Sequence, residues 1–140
     1  MAAIVTLHLA LAAVWVGAMS YSLLVVQPKA ARFFTDDDRL EEFLMTLAHG
    51  NRWRVVGLIA ALLATGAIAV PRLPWFILVL YLCAAAVFAN VSWRHWPARV
   101  FALPTERPAF RRSLRRQAWA MTVLVGAAFL TGLATTSGLI

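Results

Sequence analysis

The stretch "LHLALAAVWVG", residues 7–17, sets a single histidine, His8, in an otherwise apolar segment. A neutral imidazole can ligate a metal through one ring nitrogen without placing a net charge in lipid. His8 is therefore the candidate metal-ligating residue. The plainer alternative is a hydrogen bond from His8 to a neighbouring helix. Trp15 lies seven residues on, two helical turns deeper on the same face, and Ala12 leaves space beside the imidazole. Thr65 and Thr131, with Thr135, fall at a similar level in later apolar segments, and Tyr81 falls somewhat deeper. His8, Trp15, Thr65 and Thr131 together make the candidate ligand- or cofactor-binding pocket.

Two other groups of residues invite chemistry. His49 and His95 fall at the opposite boundary, beside Gly50-Asn51 and between Trp93 and Trp96. They read as interfacial residues or as a second, inner pair. Asn90 and Arg94, one turn apart, read as a structural polar contact. Arg111, Arg112, Arg115 and Arg116 share one side of a helical turn, where they would meet anionic headgroups or an acidic partner.

These residues sit in a chain of 140 residues that is 62% hydrophobic and only 14% charged. A soluble domain carries about 25% charged residues, so the composition is that of a membrane protein. The net charge of +7 does not point to nucleic acid, because the basic residues lie between apolar runs, next to where lipid headgroups would be. The lone cysteine, Cys83, excludes an internal disulfide and reads as a buried thiol. Four segments approach the ~20 apolar residues that a spanning helix needs: about 2–26, 53–70, 74–93 and 117–139. The first lacks a basic n-region and is too long for a signal-peptide core. No Asp, Glu or Lys falls inside any span, which argues against a proton-coupled transporter or a charged ion filter.

Of the 13 Lys and Arg, only Arg72 falls between the second and third spans. The others flank or fill the two longer loops. The positive-inside rule then puts both loops in the cytoplasm and both termini outside, in an inner (cytoplasmic) membrane. The expected fold is all-α: an integral membrane four-helix bundle, N-out/C-out. A short cytoplasmic amphipathic helix is expected over 36–49, between the first two spans. Thr35 and Asp38 resemble a capping box there, Leu40, Phe43, Leu44 and Leu47 make one stripe, and Gly50 follows the end. A faint repeat relates the two halves. The first and third spans end before Pro28 and Pro97, and the second and fourth carry Thr65-Gly66 and Thr131-Gly132. Ala10, Ala13 and Gly17, with Gly57 and Ala61, and with Ala127 and Ala128, offer small residues for close helix packing.

"LHLALAAVWVG", "RWRVVGLIAALLATG", "NVSWRHWP" and "RRSLRRQAW" together resemble the copper resistance protein D (CopD) family and its relatives, which include HemJ-type four-helix protoporphyrinogen oxidases. The resemblance spans most of the chain. It implies a four-helix bundle whose first-helix histidine handles haem b or copper. HemJ proteins carry a Leu-Pro-Arg motif after the first-helix tryptophan and a lysine in the third helix. This chain reads "WVGAMSYSLLVVQP" and has no such lysine, so oxidase activity ranks last. The other class of function is a non-catalytic accessory subunit of a larger respiratory or photosynthetic membrane complex, in contact with lipid, with other subunits or with a second copy as a homodimer. For the orientation, a reporter active only outside the cytoplasm should be active when fused after residue 140 and silent within 98–108. The reverse pattern would invert the topology.

Overall fold

The computed structural model describes residues 1–69 and 71–139. Within them the chain forms helices and no strand. Four helices are long and apolar enough to cross a membrane, so this is a multi-pass helical membrane protein. They are α1 (Ala2–Phe33), α3 (Asn51–Ala69), α4 (Trp75–Val100) and α5 (Arg107–Thr136). A short helix, α2 (Asp37–Ala48), lies between the first two. The Val70 end expected for the second span lies outside the described residues.

Three of the spans are longer than the apolar runs suggest. α1 and α4 do not stop before their prolines. Each opens into one wide π-helical turn, Ser22–Val26 and Val91–His95, and then continues. A proline inside a helix clashes with the carbonyl four residues back and offers it no N–H. Those carbonyls belong to Leu24 and Trp93, each within the π turn, where the wider winding accommodates the ring. α5 starts at Arg107 rather than near Gln117, with Pro108 in its first turn, where no N–H is needed.

The faint repeat is visible in the fold. The interval from Pro28 to Pro97 also takes one π turn onto the other and His8 onto Ile77. α1 with α3, and α4 with α5, form two hairpins packed side by side. The core between them holds Val5, Ala12, Trp15, Leu62, Ile77, Tyr81, Ala84, Val125 and Ala128. The small residues at the contacts are Ala12, Ala84 and Ala128, with Gly66 and Gly132. Ala10, Ala13, Gly17, Gly57, Ala61 and Ala127 face outward instead. Cys83 is also exposed rather than buried. On a helix that is apolar all round, sequence does not mark which stripe faces lipid.

At the arginine-rich end α2 is held by charge. Asp36, not Thr35, caps it, accepting from the Asp38 backbone N–H at 3.0 Å. The extended Asp36 backbone places its carboxylate over the first turn. Gly50, with φ +72°, follows the end as its position suggests. Of the expected stripe only Leu40 is buried, and Phe43 and Leu47 stay exposed. The docking comes from carboxylates. Arg99 donates to Glu41 Oε2 from Nε at 3.0 Å and from Nη2 at 2.6 Å. Arg111 forms a two-pronged pair with Asp37, both at 2.9 Å. Arg111 also lies 3.5 Å from Glu41, and Arg107 pairs with Asp38.

The Glu41 and Arg99 side chains are 10% and 8% exposed, so removing one leaves the other buried and uncompensated. Glu41→Ala should cost about 3–5 kcal/mol of unfolding free energy in lipid. Asp37→Asn, at a site 58% exposed, should cost no more than about 1 kcal/mol. The Arg111 hydrogen bond holds the Asp37 carboxyl below the usual carboxylate range. Its tie to α5 is therefore complete above about pH 4 and is lost as pH falls through the lowered value. Amide exchange of α2 across this range reads the effect.

Candidate functional site

His8 is 1% exposed. Its Nδ1 lies 3.2 Å from the Leu62 carbonyl and 3.1 Å from Thr65 Oγ1, both on α3. A carbonyl can only accept. The Thr65 hydroxyl donates to the Ala61 carbonyl at 2.8 Å, which leaves its oxygen lone pairs as acceptors. Both neighbours therefore call for a proton on Nδ1. Nε2 then carries the lone pair, and it is buried without a hydrogen-bond partner among the described residues. A side chain whose Nδ1–H is fixed on a backbone carbonyl while Nε2 stays free has the arrangement of a metal-ligating histidine.

Tyr81 is the second polar group here. Its ring stands edge-on to the imidazole, with centroids 5.3 Å apart. The side chain is 1% exposed, and its hydroxyl also has no partner among the described residues. Both residues line one small cavity with Gly66, Leu73, Pro74 and Ile77. About 10 Å³ of it admits a water-sized sphere, which is room for about one water molecule.

Gly66 sets the distance between α3 and His8. A Cβ there would lie 3.0 Å from His8 Cε1 and 3.4 Å from Leu78 Cδ1. Gly132 does the same in the other hairpin, where a Cβ would meet Leu9 at 3.1 Å and Ile77 at 3.8 Å. The interval that takes His8 to Ile77 takes Leu9 to Leu78. Each glycine thus faces one member of each pair, Gly66 meeting His8 and Leu78 and Gly132 meeting Ile77 and Leu9, so the two contacts are counterparts in the repeat. Only one of the two equivalent positions carries a polar side chain.

Thr65 joins His8 as its position suggests. Trp15 is buried in the core but does not line the cavity. Thr131 does not line it either; its carbonyl accepts from Thr135 within α5. Equal depth in the bundle does not mean the same face, and Thr131 sits in the hairpin whose facing residue is apolar. Tyr81 and Gly66 complete the site. The signals for them were a lone hydroxyl in an apolar run and a glycine beside the threonine.

At the other end, Asn90 donates to Gln117 at 2.7 Å rather than meeting Arg94. His95 stands edge-on to Phe110 and His49 is exposed; no hydrogen bond joins them among the described residues. The arginine cluster divides. Arg111 turns to Asp37 and Glu41, while Arg112, Arg115 and Arg116 are exposed. No family model, curated protein or solved structure matches the chain.

Gly66→Ala and Gly57→Ala separate this close approach from ordinary helix propensity. Gly57 has nothing within 4 Å of its added Cβ, so Gly57→Ala should be neutral or stabilising by up to about 1 kcal/mol. Gly66→Ala should destabilise by about 1–3 kcal/mol, because the imidazole must move. Unfolding in bilayers measures both; equal effects would remove the steric role of Gly66.

Proposed function

We propose that this protein is a small multi-pass protein of the inner membrane, with both termini outside, that handles copper at His8. The observation carrying this reading is the imidazole with Nδ1–H committed to α3 and a free, buried Nε2. The resemblance to the CopD family, carried in part by the same His8 stretch, is what points to copper, although Met19 and Met121 stand isolated and make no soft Met pair within a span. Imidazole suits copper, and the space beside His8 is of the size of one ion. The donor set is otherwise short. Tyr81 adds one oxygen, and no group of three His, Cys, Asp or Glu stands together among the described residues. Such a short set suits a cargo ion held briefly and not a permanent storage site.

Haem b, the other cofactor the resemblance implies, does not fit the bundle as packed. A ligand of that size needs hundreds of Å³, against about 10 Å³ open to a water-sized sphere beside His8. A second reading, a non-catalytic accessory subunit of a larger membrane complex, is favoured by the exposed Arg112, Arg115 and Arg116, which have no ion-pair partner among the described residues. They form a ledge for anionic lipid or for an acidic neighbouring subunit.

Protein purified from native membranes in mild detergent should carry copper and show no Soret band. His8→Ala should remove the copper, and His49→Ala and His95→Ala should retain it. A Soret band that depends on His8, without copper, would replace copper by haem. A colourless, copper-free protein with a stoichiometric partner subunit, lost on changing Arg112, Arg115 and Arg116 to glutamine, would favour the accessory role.

A further inference from the structure

We infer that the cavity between α1, α3 and α4 is a binding site for one water molecule, held between Tyr81 as donor and His8 Nε2 as acceptor. This rests on the site described above but not on copper, since it concerns the metal-free protein. Four observations meet here. The Nδ1 partners assign the imidazole proton, so Nε2 can only accept. The Tyr81 hydroxyl has a proton to donate and no acceptor among the described residues. Both side chains are 1% exposed and line the same cavity. That cavity has room for about one water.

A buried hydroxyl or imidazole nitrogen left without a partner is destabilising, and the two residues that carry such atoms line this one space. A water satisfies both at once. It accepts from Tyr81 Oη–H and donates one O–H to Nε2. The remaining walls, Leu73, Ile77 and Leu78 among them, are apolar, so the site accepts a small neutral hydroxylic ligand and rejects an anion. The pair also sets an order of events. Anything that binds Nε2 must displace this water, and Tyr81 then donates to whatever replaces it. Gly66 keeps the space open, because a Cβ at that position pushes on His8 Cε1.

The test uses metal-free protein labelled with ¹⁵N-histidine in lipid bilayers. Magnetic-resonance spectra of wild type should show a protonated Nδ1 and a bare Nε2 for His8, with a cross-peak from a bound water to the imidazole ring. In Tyr81→Phe the water keeps only one of its two polar partners, so the cross-peak should vanish while the Nδ1–H assignment stays. Gly66→Ala should weaken both signals. A wild type with no water cross-peak, or with the proton on Nε2, overturns the inference whatever the variants do. A cross-peak that survives Tyr81→Phe unchanged overturns the role of Tyr81. Copper content is measured on separate samples, so loss of the copper reading leaves these outcomes intact.

Discussion

An N–H buried among apolar helices must find an acceptor, because lipid offers none. In this protein the His8 N–H finds it on α3, at the Leu62 carbonyl and the Thr65 hydroxyl. Much of the local architecture follows from that one requirement. The ring reaches α3 only because the helix surface there is bare at Gly66. Thr65 presents an acceptor only because its own proton goes back to Ala61, one turn earlier. Once Nδ1 is committed, the chemistry of Nε2 is fixed as well. A threonine, a glycine and a backbone carbonyl thus decide what a histidine on another helix can do.

The two ends of the bundle are held by different forces. Around His8 the packing is apolar and close, with glycines where helices approach. At the arginine-rich end, the Glu41–Arg99 pair and the Asp37–Arg111 fork tie α2 to α4 and α5. Arg99 also stacks its guanidinium over Trp96, 5.2 Å from the ring centroid, which lets a charged group lie against an aromatic surface. Long ion-pairing side chains belong at a membrane boundary, where their stems pack on apolar surface and their heads reach polar partners. Charge therefore organises the connecting segments, and of the Asp, Glu and Lys residues only Lys29, near the end of α1, lies within a spanning helix.

The four spans were legible because length and hydropathy alone define them. His8 was legible because a polar residue in an apolar run has few roles, and Thr65 because it shares its depth. What sequence did not reveal was rotation. Ala10, Ala13 and Gly17 suggested a packing stripe on α1, yet Ala12 is the small residue inside. Thr131 suggested a partner for His8, yet it belongs to the other hairpin. On helices with apolar residues on every side, no polar face marks the outside, so the buried stripe has to come from three-dimensional packing. The helix ends were misjudged for a related reason. Pro28 and Pro97 look like stops, but a single π turn carries the helix past each. The α2 cap moved by one residue, from Thr35 to Asp36, because both are good caps and only the backbone conformation chooses between them.

The internal repeat gives the site its last constraint. Two hairpins related by the internal repeat offer two corresponding positions beside two corresponding glycines. At one stands His8, and at the other Ile77, which is 2% exposed. Placing imidazoles at both would bury two N–H groups, each of which would need its own acceptor. Instead Ile77 fills its position and lines the cavity of its counterpart. The asymmetry therefore serves the site directly: the apolar copy provides a wall for the polar one. A symmetric frame supplies the close helix approach twice, and one substitution pattern turns a single copy into a place where a lone pair, a hydroxyl and a water-sized space meet.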